Sequence, residues 1–418
     1  MVIERPSYLD RLIQQMGTNQ VKVITGIRRC GKSFLLFNLF KKHLLESGVP
    51  ESSIFEMAFD RFGNKKYRDA EVFYPYVVDA ISHAEGPCYV LLDEVQLLGD
   101  FAEVLIDLIA RDGVDVYVTG SNAKLLSKDV VTEFRGRGYE IAMAPLSFSE
   151  FMGACDLDKR DAYELYSVYG GMPGALSIEA PEEKASYLRS LYDELYLTDI
   201  VERGGIRDRS NLEELIDVLS SSIGLLTNPT KLAATFKSEK NVSISSETVE
   251  RYIELMEDSF LVSHAKRYDV KGRRYIGTPL KYYFTDLGLR NARMNFRQVE
   301  PTHIMENVIY NELACRGFDI DVGVVPINLR DENGKSRRAQ LEIDFVCNKG
   351  SRRYYIQSAF ALPTQEKRDQ ESRSLLKVDD SFKKIIVTKE GPSPYYNEDG
   401  ILSMNVFDFL LDPDSLSF

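Results

Sequence analysis

Cysteine is scarce and badly placed for any structural role, with five residues, Cys30, Cys88, Cys155, Cys315 and Cys347, scattered, odd in number and without a C-x-x-C pair. Such a pattern offers neither a disulfide framework nor a zinc site, and the chain reads as reduced and intracellular. An apolar leader is missing too, because Met1 opens onto Glu4, Arg5 and Asp10. No run approaches the roughly 18 uncharged apolar residues that span a bilayer. A soluble cytoplasmic protein with no membrane partner is expected. Positive charge is short as well, the net charge being −12. That balance speaks against a broad electrostatic grip on nucleic acid, so any polyanion site must be focused.

What is present is ordinary globular material, with 44% apolar and 28% charged residues. At 418 residues the chain exceeds one core, and about 150 residues per domain suggests roughly three domains.

The organising stretch is Gly26-Ile27-Arg28-Arg29-Cys30-Gly31-Lys32-Ser33, between the strand-like Val21–Ile24 and the helical Phe34-Leu35-Leu36-Phe37. It fits G-x-x-x-x-G-K-[ST] in the strand, loop and helix context this motif requires. Glycines let backbone N–H groups turn toward phosphate oxygens; Lys32 is suited to reach the β- and γ-phosphates and the Ser33 hydroxyl to ligate Mg²⁺. The helix that follows, from Ser33 and Phe34, points its positive dipole end at the same phosphates. A nucleoside triphosphate, ATP, and Mg²⁺ are the expected cofactors.

Around this loop, strands and helices alternate. Leu9, Leu12, Ile13 and Met16 have helical spacing, and Ile54–Phe59 reads as a strand. Cys88–Leu92 is a buried-type strand ending in Asp93 and Glu94. Ligand crevices form at the carboxyl ends of parallel strands, so Asp93 can complete the Mg²⁺ shell with Ser33 while Glu94 orients or deprotonates a water. A third strand, Val114–Thr119, leads into Gly120-Ser121-Asn122. Ser121 is the first candidate for contact with the γ-phosphate and Asn122 the second, against the alternative of a turn with local hydrogen bonds only. Arg137, with Arg135 in reserve, stands ahead of a further strand, Tyr139–Met143. An arginine there suits donation across a subunit interface, which implies a homo-oligomer; a solvated surface arginine is the competing reading.

The spacing of these elements resembles the AAA+ ATPases. In particular, Gly26–Ser33, Leu91-Leu92-Asp93-Glu94-Val95-Gln96, Thr119-Gly120-Ser121-Asn122, Gly136-Arg137 and Pro145-Leu146-Ser147-Phe148-Ser149-Glu150-Phe151 are similar to prokaryotic AAA-type ATP-binding proteins with a C-terminal domain of unknown function. The last string belongs to that family without a chemistry that its residues explain. The resemblance also implies that Tyr169-Gly170-Gly171-Met172-Pro173-Gly174 belongs to a helical lid over the nucleotide. Arg203, Arg207 and Arg209, after the helix around Tyr187–Leu195, read as a solvated basic run, with sensing of the nucleotide state as the competing reading.

From Asn211 short helices are followed by a hairpin. Val249, Tyr252, Ile253 and Met256 fall at helical spacing after Ser245 or Ser246, and Phe260–Val262 and Tyr282–Phe284 bracket a polar turn with Gly272. This order suggests a winged helix. Its would-be recognition helix exposes Glu247, Glu250, Glu254, Glu257 and Asp258 against Arg251 alone, which suits DNA poorly. The wing differs: Lys266, Arg267, Lys271, Arg273, Arg274 and Lys281 cluster with Tyr268 and Tyr275. That cluster fits a nucleic-acid backbone or an acidic protein partner, and equally a plain solvated hairpin.

Beyond residue 293 a helix with Glu306, then the strands Ile320–Val325, Leu341–Val346 and Tyr354–Gln357, a helix carrying Lys367 and Arg368, and the strand Lys384–Val387 resemble the PD-(D/E)xK nuclease fold. Glu306 and Asp344 match its helix and strand carboxylates, whereas Gln357-Ser358-Ala359 stands where Glu-x-Lys would be. Loss of a charged ligand and of the ammonium predicts a nuclease-like region without nuclease activity.

The expected organisation is therefore α/β: a parallel-sheet P-loop AAA+ ATPase domain (1–150), a helical lid (151–210), a winged-helix domain (211–292) and a C-terminal α/β nuclease-like domain (293–418). The expected function is Mg²⁺-dependent ATP hydrolysis coupled to movement of these modules on an unknown macromolecule. The alternative is a slow ATP-controlled switch or scaffold whose hydrolysis is incidental.

Overall fold

Five short runs, three of them rich in valine, isoleucine and leucine, become the strands of one parallel sheet. In the computed structural model, which describes residues 2–84, 86–120, 134, 136–206, 208–240, 243–297, 300–330 and 336–418, these are β1 (Val21–Thr25), β2 (Ile54–Ala58), β3 (Cys88–Asp93), β4 (Val114–Thr119) and β5 (Gly138–Ala142). Their order is β2-β3-β4-β1-β5. β1 and β3 are buried along their whole length, as expected for parallel strands covered on both faces. Val90, Leu92, Val116 and Val118 pack with Phe73 and Val77 of the helix Ala70–Ser82 and with Leu105 and Leu108 of the helix Phe101–Ile109. Phe40, from the helical stretch after the phosphate loop, lies 4.4 Å from the Tyr117 ring.

The described chain forms two compact units, one of residues 1–145 with 257–260 and one of 146–256 with 261–418. The second begins with helices. Ser147 and Glu150 form a capping box at the start of the helix Phe148–Gly153, which satisfies two backbone donors reciprocally. Leu146 N–H donates to Gly171 O at 2.8 Å, and the Phe148 and Phe151 rings each meet Tyr166 edge-on. Gly170 and Gly171 lie against Asp286: Gly171 N–H donates to its Oδ2 at 2.7 Å, and a Cβ on Gly170 would come within 2.4 Å of its Oδ1. Burial pushes the Asp286 carboxyl up to about 6, against the pull of the Gly171 and Leu289 amide donors. On the helix Ser246–Asp258, capped by Ser245 Oγ, Val249, Tyr252, Ile253 and Met256 form the buried stripe.

A mixed eight-stranded sheet completes this unit, in the order β12-β13-β11-β10-β9-β8-β6-β7. The hairpin β6 (Val262–Asp269) and β7 (Arg274–Phe284) joins it through parallel pairing of β6 with β8 (Asp319–Arg330). β9 (Ser336–Lys349), β10 (Arg352–Ala359) and β11 (Lys383–Thr388) follow, then the short β12 (Tyr395–Tyr396) and β13 (Leu402–Asn405). The helix Pro301–Cys315 carries eight buried residues, Glu306 among them. Among the described residues no helix is long and apolar enough to cross a membrane.

Candidate functional site

The phosphate loop is curled by three residues at positive φ, two of them glycines. Gly26 has φ 136°, and a Cβ there would sit 2.0 Å from Met143 O; only glycine fits so close an approach of two backbones. Arg29 at φ 60° and Gly31 at φ 107° complete the curl, and Gly31 is the N-cap of the helix that opens at Lys32. Ile27 and Cys30 are buried, whereas Arg29 is exposed and Arg28 half-buried. Arg5, itself buried, donates to Cys30 O at 3.2 Å and to Ala144 O at 2.8 Å. Lys32 is 4% exposed and turns back along the loop, its Nζ donating to Gly26 O at 2.9 Å and Ile27 O at 3.0 Å. Phe34 is partly exposed beside it.

Three strand tips meet this loop because β1, β3 and β4 are parallel neighbours. Ser33 Oγ donates to Asp93 Oδ1 at 2.8 Å. The same oxygen accepts a short hydrogen bond from Thr119 Oγ1, which in turn accepts from the Glu94 N–H at 3.1 Å. Burial pushes the Asp93 carboxyl up, and the Thr119 and Ser33 hydroxyls oppose that shift. Glu94 stands at φ 53°, a conformation that costs a side-chain-bearing residue energy and persists where surrounding contacts fix it. Its carboxylate accepts from Gln96 Nε2. A cavity of about 430 Å³ opens beside Ser33, lined also by Phe37, Lys41, Glu56, Arg61 and Asn64.

Ser121, Asn122 and Arg135 lie outside the described residues. Arg137 is exposed and precedes β5. Gly138 pairs with Val21 at the start of β1, so Arg137 sits at the sheet edge opposite the loop, roughly 15 Å away along a five-residue strand. Thr119, last residue of β4, carries more of the site than its sequence context suggested; its signal was a hydroxyl at a strand tip.

Residues 18–152 match the AAA domain family, and residues 160–300 match a domain of unknown function. An uncharacterized Haemophilus influenzae protein is 33% identical, over 98% of this chain and 99% of that one. The chain belongs to the AAA-domain family. An uncharacterized Methanocaldococcus jannaschii protein is 25% identical over 97% of this AAA-domain chain and 89% of its own. The Aeropyrum pernix ORC1 protein, solved in complex with DNA, is 12% identical over 71% of this chain and 93% of that one, with a TM-score of 0.31. At that score the likeness says nothing of what this chain binds. Membership of the AAA-domain family supports ATP binding and hydrolysis in general.

The AAA-domain protein has a second polar cluster, in its other unit. Lys281 of β7 is 3% exposed, and its Nζ lies 2.9 Å from Glu306 Oε1, 2.8 Å from Glu342 Oε1 and 3.4 Å from Asp344 Oδ1. Tyr283 OH donates to Glu306 Oε1 at 2.8 Å, and Ser358 N–H to Asp344 Oδ2 at 2.9 Å. Burial draws Glu306 upward, but Lys281 with His303 and Tyr283 holds it below the usual carboxylate range. For Asp344 burial outweighs Lys281 and pushes the carboxyl up to about 7. Lys281 therefore leaves the basic face expected of the hairpin, on which Lys266, Lys271, Arg273 and Arg274 are exposed. Its signal was a lone charge inside the apolar run Leu280–Phe284, and that of Glu342 was its two-residue spacing from Asp344, which puts both on one strand face. Gln357 Nε2 donates to Glu371 at 3.2 Å, and Glu371 also pairs with Lys367 at 2.6 Å. Arg368 Nε reaches Leu362 O at 3.4 Å. Among the described residues no group of three or more His, Cys, Asp or Glu side chains is arranged to hold a metal ion.

Proposed function

We propose that this protein hydrolyses ATP with Mg²⁺ at the loop Gly26–Ser33, between subunits of a homo-oligomer. The observation that carries this reading is the Ser33–Asp93 hydrogen bond, which brings a hydroxyl and a carboxylate, both hard oxygen donors suited to Mg²⁺, to one point beside the loop. Gly26, Ile27, Arg28, Arg29, Cys30, Gly31 and Phe34 shape the cradle, and Lys32, held by two loop carbonyls, swings to the phosphates. Ser33 and Asp93 hold the metal, which when bound neutralises charge on the β- and γ-phosphates. Glu94 positions the attacking water. Ser121, with Asn122 in reserve, contacts the γ-phosphate, and Arg137, with Arg135 in reserve, reaches the site of a neighbouring subunit.

In this reading residues 1–150 form the ATPase domain, 151–210 the lid, 211–292 a winged helix and 293–418 a nuclease-like region. Nucleotide-driven movement of the lid and winged helix is passed to a macromolecule, either a protein or a nucleic acid held by the basic hairpin. The nuclease-like region does not hydrolyse phosphodiesters: the ligand set has Gln357 and Ala359 where a charged ligand and a lysine are needed, and Glu306, Glu342 and Asp344 are already paired with Lys281.

The test is steady-state ATP turnover against protein concentration, with Lys32→Ala and Arg137→Ala alongside. Turnover per chain should fall on dilution and be lost in both variants. Full activity in the diluted monomer would remove Arg137 from its role, and full activity in Lys32→Ala would remove the loop from its own.

A further inference from the structure

A second concavity lies far along the chain from the phosphate loop, in the mixed-sheet unit. It is an open cleft of about 670 Å³, within the about 300–1,000 Å³ common for small-ligand sites. Three segments build it: the end of β6 with the turn that follows gives Tyr268, Lys271 and Arg273, the start of β10 gives Arg352 and Arg353, and the segment before β11 gives Asp379, Asp380 and Phe382. Four cations thus face two carboxylates in a chain whose net charge is −12. One of the carboxylates is already engaged, since Asp380 accepts from Tyr355 OH at 2.6 Å and from the Phe382 N–H at 3.2 Å. Positive charge is focused here against the sign of the whole.

Arg353 is the fixed point of the cleft. Its Nε donates to Asn348 Oδ1 at 2.8 Å, and its guanidinium lies over the Tyr268 ring at 5.2 Å and the Phe382 ring at 5.4 Å. The Tyr355 and Tyr268 hydroxyls also interact with it. A planar cation held between two ring faces fixes both rings in place. Phe382 remains 40% exposed, so an apolar ring face stays available to a ligand. Lys271, Arg273 and Arg352 are exposed around it and are free to reach an anion. An exposed aromatic ring backed by a fixed guanidinium suits a planar heterocycle, and the exposed cations suit phosphate.

We propose that this cleft binds a nucleotide unit, its base stacked on the exposed part of Phe382, whose ring Arg353 backs, and its phosphate held by Lys271, Arg273 and Arg352. The unit is either a free mononucleotide or one residue of a single strand. This deepens, and rests on, the reading that the basic hairpin meets nucleic acid, and it moves the contact from the hairpin alone to a site shared by three segments. An acidic peptide is the poorer match, because it offers no ring to stack and meets Asp379.

The experiment uses the chain of residues 1–418 carrying Lys32→Ala, so that the phosphate loop does not contribute. Anisotropy of a labelled oligothymidylate of about twelve nucleotides is titrated over a range of salt, with dTMP and polyglutamate as competitors. Adding Lys271→Glu with Arg352→Glu, both at exposed positions, should weaken binding at least about tenfold and lower the salt slope by about 1.4. Phe382→Ala should weaken it about tenfold with the slope unchanged. Competition by dTMP supports the site with a free nucleotide as its source, and binding of the strand alone supports it with a strand. Absence of binding to either, affinity unchanged in both cleft variants, or tighter binding of polyglutamate would overturn the proposal. If binding survives the cleft variants but is lost in Lys266→Glu with Arg274→Glu, the hairpin reading stands and the cleft does not.

Discussion

Ser33 and Asp93, sixty positions apart, are joined by a 2.8 Å hydrogen bond from hydroxyl to carboxylate. The bond exists because parallel pairing brings the carboxyl ends of β1 and β3 to one edge of the sheet, with β4 between them. Asp93 also accepts from Thr119, so a single carboxylate oxygen gathers the loop and two strand tips. Buried with two hydroxyl donors, it is a preorganised acceptor whose lone pairs are aimed before any ligand arrives.

Thr119 is the first residue to substitute. Valine keeps its shape but removes the hydroxyl, leaving the Glu94 N–H without that acceptor and Asp93 without one donor. A loss of about 1–2 kcal/mol of organisation corresponds to roughly a tenfold fall in kcat. Thr119→Val should therefore reduce kcat about tenfold with a smaller change in KM for ATP, measured by steady-state turnover; equal kcat values would separate Thr119 from the site.

In the mixed-sheet unit, Lys281→Met removes the ammonium shared by Glu306, Glu342 and Asp344. Uncompensated buried charge typically costs about 3–5 kcal/mol. Thermal unfolding should shift down markedly in Lys281→Met, and adding Asp344→Asn should recover part of the loss. An unchanged midpoint would mean that the ammonium contributes nothing net.

The same cluster gives stability a pH dependence of definite sign. Asp344 is pushed up to about 7 by burial, so the folded state holds its proton over a range in which the unfolded chain releases it. The stability from this group is full below about pH 4 and falls as the pH rises to about 7, then stays level. Asp344→Asn should flatten the pH 4 to 7 slope in denaturant melts relative to the parent. An identical slope in both would show that Asp344 ionises at its ordinary value.

How much of this was legible in the sequence depends on range. The five strands of the parallel sheet could be read because each is a short apolar run, and the phosphate loop because its spacing carries its own chemistry. The Pro145–Phe151 string carried no readable chemistry until Ser147 and Glu150 were seen as a capping box and Leu146 as the partner of Gly171. Side chains whose partners lie far along the chain were hidden. Lys22, buried in β1, pairs with Asp115, and Lys281 with three carboxylates beyond it; no local period announces such pairs. The joining of β6 to β8 was hidden for the same reason, since strand order is a property of pairing and not of composition.

Glu94→Gln tests the central claim most directly. The amide keeps the size and the hydrogen bond to Gln96 but cannot take a proton, and general-base loss costs about 10²–10⁴ in rate. In steady-state assays with Mg²⁺ and ATP, the parent chain should turn over ATP and Glu94→Gln should fall at least about a hundredfold, while equilibrium binding of the nucleotide is retained. Equal turnover in the two proteins, or no turnover in the parent under any assembly condition, would contradict ATP hydrolysis at this loop.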